Sequence, residues 1–221
     1  MTGADTENRI LLGVRFRLAT EFILIFAGGP LLILVLHRPG VLFILLWAGA
    51  ATAWLSTRSK QCVSSEPSET RSEIRILFLR FVLLAPCIAL ASWFFLPETF
   101  LSLPSERPLF WAAIMVLYPL LSVWPQEMLY RQFLFMRYAP LFRRKSVLIA
   151  ASALAFGFAH VIFLNPVAII MTLAGGFMFA RDYARHQLLR LTCLEHALYG
   201  CLIFTVGLGR FFYTGDAWHH H

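Results

Sequence analysis

Seven apolar stretches divide this chain: Ala19–Leu36, Gly40–Leu55, Ile76–Leu96, Pro108–Trp124, Ser146–Leu164, Pro166–Ala184 and Leu188–Gly209. Crossing a bilayer takes about 20 consecutive apolar residues in a helix, which satisfies its own backbone polar groups. Each stretch therefore predicts a spanning helix. The second is short and fits a thinned region or a smaller tilt. The fourth is expected to run on past Pro125 to about Tyr138, with a kink at the proline. The polar segment Ser56–Arg75, rich in Ser, Glu and Arg, reads as a solvated loop. The pattern predicts an all-α, polytopic transmembrane helix bundle of about seven spans. Residues 1–75 form an N-terminal two-span segment with its polar loop, and 76–210 form the membrane core.

Composition agrees. Of 221 residues, 59% are hydrophobic and 14% charged, against about 25% charged in a typical soluble domain. Disorder is excluded by so apolar a chain. Four cysteines are too few for a disulfide scaffold. A soluble domain of this size has too little interior to hide this much apolar surface. The net charge is +7, but no Lys/Arg cluster lies outside a membrane context, so no nucleic-acid partner is expected.

The basic residues instead report orientation. With the N-terminus cytoplasmic, 14 of the 19 Lys and Arg fall on inside segments and three, Arg38, Arg107 and Arg210, fall outside. Arg80 and Arg131 lie within spans. This asymmetry follows the positive-inside rule and predicts an N-terminus in the cytoplasm of a bacterial inner membrane. The first apolar run lacks a small-residue cleavage site at signal-peptide distance and reads as a retained span. His219–His221 read as a residual purification tag and are set aside.

Titratable groups inside a bilayer cost about 2.5–3.5 kcal/mol each, so each needs a reason. Glu21 and Asp182 lie near interfaces. Arg80 is close enough to the cytoplasmic end of its span to snorkel. Glu195, near the cytoplasmic end of the last span, is expected to pair with an arginine there. Glu127, His160 and His196 are harder to dismiss, because each lies well inside a different span. At about 1.5 Å per residue their depths from the cytoplasmic side are roughly 15, 21 and 12 Å. Tilt and the Pro125 kink allow all three to meet near mid-membrane. Glu127 and Arg131 are i and i+4, on one helix face, so the arginine can keep the carboxylate ionised. Phe156 lies one turn from His160, and Gly157, Ala159 and Gly175–Gly176 permit close helix approach.

A carboxylate and two imidazoles around water suit hydrolysis. The carboxylate acts as general base, one histidine relays the proton, and the other donates to the oxyanion. The bland alternative is a set of interhelical hydrogen bonds that only glue the bundle.

These residues also carry a family resemblance. Gln126-Glu127-x-x-x-Arg131, Phe156-x-x-x-His160 and His196-x-x-x-Gly200 resemble, in order and spacing, the three motifs of the CPBP family. This is the CAAX-protease and bacteriocin-processing group of intramembrane endopeptidases, also called Abi. The resemblance covers about residues 108–210 and implies a glutamic-type mechanism with Glu127, His160 and His196 catalytic. Gln126, Arg131, Phe156 and Tyr199 would support them. No His-Glu-x-x-His is present, and no metal or other cofactor is expected.

Two positions depart from the family pattern. The first motif residue, usually the water-activating Glu, is Gln126, and an amide is no general base. Either Glu127 is the base, or Gln126 is an engineered inactivating change, or catalysis has been lost. The similarity to a bacterial subgroup with Pro-Gln-Glu favours Glu127. In an unbroken helix, neighbours 100° apart cannot both face one pocket squarely. Gly200 stands where the family has Asn or Asp, and Tyr199 is the nearest substitute donor. Cys201 and Cys193 are weaker candidates as nucleophiles.

The expected function is cleavage of a membrane-anchored polypeptide within the lipid bilayer, removing a C-terminal sorting signal or a CAAX-type prenylated tail. The competing expectations are a proton or solute transporter and a catalytically silent membrane scaffold.

Overall fold

The computed structural model describes residues 3–58 and 67–213, and every regular element among them is a helix. Lys60, Cys62 and the middle of the Ser56–Arg75 segment lie outside the described residues, as do His219–His221. Helix α1 (Gly3–Ile23) passes through a π-helical turn, Leu24–Gly28, into α2 (Gly29–Leu36). It stops at His37, which adopts a left-handed conformation at φ 49°. Helices α3 (Pro39–Thr57) and α4 (Pro67–Phe95) follow, then a short α5 (Ser102–Glu106).

The next rod is assembled from α6 (Pro108–Tyr118), a π-helical Pro119–Val123, α7 (Trp124–Glu127), a π-helical Met128–Phe133 and α8 (Leu134–Tyr138). The chain does continue past Pro125 to Tyr138. The single kink expected at Pro125 is replaced by wide π turns on both sides of it. A π turn holds an extra residue and shifts the carbonyl that a proline ring would otherwise strike. Trp124, before the proline, accordingly keeps helical angles and donates its N–H to the Pro119 carbonyl.

Helices α9 (Lys145–Ala159), α10 (Pro166–His186) and α11 (Leu189–Thr205) complete the bundle. Among the described residues six helical segments are long and apolar enough to cross a membrane: Leu11–Leu36, Gly40–Thr57, Arg71–Phe95, Pro108–Leu141, Lys145–Phe163 and Pro166–His186. The seventh expected span is α11, which is shorter at 17 residues. It runs alongside α4: Arg80 meets Glu195 near one end, and the Ser92 hydroxyl donates to the Val206 carbonyl at 2.6 Å near the other.

Pairings between helix ends reproduce the expected alternation. Glu21 joins Arg137 and Tyr138, Arg80 joins Asp182, and Arg185 joins Glu73 at 3.1 Å. At the opposite end the Trp111 indole donates to Thr205 at 3.0 Å. Arg80 does not snorkel outward as expected. It turns inward between Asp182 and Glu195, because two carboxylates hold a guanidinium more strongly than interfacial water does.

The bundle is inverted relative to a soluble protein. Leu109, Phe16, Phe94 and Phe95 are largely exposed, whereas Glu127, Arg131, Gln132, Ser152, Thr192 and Glu195 are buried. Helices α9 and α10 form a tight antiparallel pair. A Cβ on Gly157 would overlap the Leu173 side chain, and one on Gly176 would lie 3.0 Å from Phe156 and 3.3 Å from the Ala153 carbonyl oxygen. The two glycines allow these backbones to approach. Gly176→Val is expected to destabilise the protein by about 1–3 kcal/mol through overpacking. Thermal unfolding in detergent, compared with Gly175→Ala, measures this.

Candidate active site

The π-helical rod carries Glu127 and Arg131 into the centre of the bundle, where both side chains are fully buried. The Glu127 Oε1 accepts a hydrogen bond from His196 Nδ1 at 2.8 Å, joining the rod to α11. Arg131 Nε lies 3.3 Å from Glu127 Oε2, off line for a hydrogen bond, so the attraction there is ionic. The guanidinium is held by more than its carboxylate. One Nη1 donates to the Ser152 hydroxyl at 3.2 Å and the Tyr130 carbonyl at 3.3 Å. Its face lies over the Phe156 ring at 4.7 Å, and the Phe179 ring is 5.9 Å away. Aromatic faces attract a desolvated cation, here from α9 and α10.

His196 is fixed on every side. Phe179 stacks on it at 4.9 Å and Phe156 meets it edge-on at 5.5 Å. The Tyr118 hydroxyl is 3.0 Å from Nε2. A carboxylate only accepts, so Nδ1 carries the proton shared with Glu127, and in the neutral ring Nε2 accepts from Tyr118.

His160 closes α9 and begins a 3₁₀ turn, His160–Phe163. Its Nδ1 donates to the Phe156 carbonyl at 2.7 Å. The neutral ring therefore presents Nε2 as an acceptor. The ring packs on Phe156 at 4.7 Å, with Phe163 and Phe212 on its other sides. Phe156 thus lies between the two imidazoles. The structure brings Glu127 and His196 into direct contact. His160 reaches the same aromatic ring without a hydrogen bond to Glu127.

The remaining expected residues separate. Gln126 turns away from Glu127 and donates from Nε2 to the Ser122 hydroxyl at 2.7 Å, as the 100° offset between neighbours requires. Tyr199 packs on Phe81 at 5.2 Å and Phe179 at 6.4 Å, on the side of Arg80 and Glu195. Glu195 pairs with Arg80 as expected. Among the described residues, Cys193 and Cys201 hydrogen-bond to neither Glu127 nor a histidine. A groove of about 830 Å³ lined by Phe16, Phe22, Phe26 and Phe158 touches none of Glu127, His160 and His196.

Among the described residues seven buried side-chain polar atoms lack hydrogen-bond partners: Glu127 Oε2, Arg131 Nε and Arg131 Nη2 in this pair, and Gln126 Oε1, Arg80 Nε, Glu195 Oε2 and Tyr199 Oη outside it. Buried polar atoms are nearly always satisfied, so the three on Glu127 and Arg131 call for a partner.

Residues 108–202 match the family model described as type II CAAX prenyl endopeptidase Rce1-like. That stretch is Rce1-like. It contains Gln126, Glu127, Arg131, Phe156, His160, His196 and Gly200, and the family it matches is one of proteases. No curated protein and no solved structure matches the chain.

The geometry of the Rce1-like segment adds Tyr118, Ser152 and Phe179, which sequence reading passes over. Tyr118 and Ser152 carried a weak signal as polar residues within apolar runs. Phe179 carried none, since one more aromatic residue in an apolar helix is ordinary.

Arg131→Met is expected to cost about 3–5 kcal/mol, because it strands the Glu127 charge. The double variant Glu127→Gln/Arg131→Met is expected to recover most of that. Denaturant unfolding in detergent compares the two.

Proposed function

We propose that this protein is an intramembrane endopeptidase that cleaves a membrane-anchored polypeptide, with Glu127 activating the water. The observation that carries this reading is a fully buried carboxylate with one oxygen held by His196 and the other orphaned beside Arg131. Water at Oε2 gives a proton to Glu127, and its oxygen attacks the scissile carbonyl carbon. The tetrahedral intermediate collapses as Glu127 returns that proton to the leaving amine. His160, with Nε2 as acceptor, orients the attacking water. The partnerless N–H groups of Arg131 supply positive potential for the developing oxyanion. His196 holds the carboxylate in place. The chemistry uses no metal, so cleavage is expected to survive a chelator.

The substrate carries its own hydrophobic anchor. A C-terminal sorting signal with an apolar helix is the first to test, and a CAAX-type prenylated tail, the class named in the family description, is the second. The Lys and Arg distribution supports a placement with the N-terminus in the cytoplasm of a bacterial inner membrane.

The deciding experiment reconstitutes the protein with both substrate types. The wild type is expected to cleave one of them, and Glu127→Gln and His160→Ala are expected to lose about 10²–10⁴-fold. Equal cleavage by Glu127→Gln removes Glu127 as base. A gain in Gln126→Glu assigns the base to position 126 and makes Glu127 its anchor. A second reading, a silent scaffold, draws support from that amide and gains if no variant cleaves either substrate.

Orientation has its own test. In a cysteine-free background, Glu98→Cys is expected to react with an impermeant maleimide from outside intact cells, and Arg143→Cys only after lysis. The reverse result inverts the topology.

A further inference from the structure

Tyr118 and Gly200 are 82 positions apart in the chain and occupy one piece of space. Gly200 lies one helical turn after His196 on α11, so a side chain there would share the histidine's face. A Cβ built on Gly200 would overlap the ring and the hydroxyl of Tyr118. The phenol therefore fills the volume that any larger residue at position 200 would claim. It comes from the opposite direction, from the last residue of α6. Its ring is braced edge-on by Phe204 at 5.2 Å, and its hydroxyl ends 3.0 Å from His196 Nε2.

We infer that Tyr118 is the positioning residue of the site: its hydroxyl pairs with His196 Nε2 and holds the ring in the orientation in which Nδ1–H meets Glu127. The two ring nitrogens of a neutral histidine have opposite roles, and the partner of one decides the other. Glu127, which only accepts, claims the proton on Nδ1, and the Tyr118 hydroxyl, free to donate, partners the lone pair left at Nε2 and keeps the ring from turning. Gly200 is the second half of the device, since only a residue without a side chain leaves the phenol this place. Tyr118 touches no part of the proposed reacting centre. It acts through His196, and its connection to catalysis rests on the proposed endopeptidase reading.

The test reads the histidine directly, so it stands apart from whether any substrate is cleaved. Protein labelled with ¹⁵N at histidine is examined by NMR in detergent, with His196 assigned by the loss of its signals in His196→Gln. The wild type is expected to show a protonated Nδ1 and a hydrogen-bonded, unprotonated Nε2. Tyr118→Phe keeps the ring and removes the hydroxyl, and its Nε2 signal is expected to move toward that of a free acceptor. Gly200→Ala displaces the phenol and is expected to give the same change. An unchanged His196 spectrum in Tyr118→Phe overturns the inference, whatever the cleavage assay gives. If the wild type cleaves nothing but the spectrum responds, the endopeptidase reading fails and the Tyr118–His196 coupling stands. Where cleavage is measurable, Tyr118→Phe is expected to lower kcat about five- to tenfold, the worth of about one hydrogen bond, with KM unchanged.

Discussion

The buried Glu127–Arg131 pair is the constraint around which the rest of the bundle is arranged. Both side chains are fully buried, and neither charge is tolerable there alone. Compensation is drawn from three other helices. Phe156 and Ser152 of α9 meet the guanidinium, Phe179 of α10 lies near its face, and His196 of α11 binds the carboxylate. Close packing of α9 on α10 brings those two aromatic rings together, and that packing depends on the glycines between the helices. The interhelical contacts of the core and the chemistry of the site are therefore largely the same contacts.

A second charged group, Arg80 with Asp182 and Glu195, sits elsewhere in the bundle and joins α4, α10 and α11. It differs in kind. Arg80 and Asp182 remain partly exposed, so that group has access to a wetter environment. The Glu127–Arg131 pair is fully buried, and burial separates the two groups, since both hold polar atoms without hydrogen-bond partners.

The two π-helical turns explain how adjacent residues take different tasks. Gln126 reaches back to Ser122, while Glu127 reaches forward to Arg131 and across to His196. Each uses an i, i±4 partner on its own face. The amide and the carboxylate thus line different sides of one rod, and the π turns hold that rod helical through Pro119 and Pro125.

The sequence by itself determined the helical class, the approximate spans and the short list of intramembrane polar residues. Burying charge in a bilayer is so costly that Glu127, Arg131, His160 and His196 stand out without coordinates. It also determined the Glu127–Arg131 and Phe156–His160 pairs, since both lie within one turn of a helix. Only the tertiary structure decided which residue meets which across helices. Arg80 turning inward, Tyr118 on His196 and Phe179 over the same ring depend on helix rotation and packing. A periodic apolar pattern does not encode these once every face of a helix is apolar. The departure at Gly200 is the clearest case. In sequence it reads as a missing donor, and in space it is the room in which a tyrosine from another helix stands.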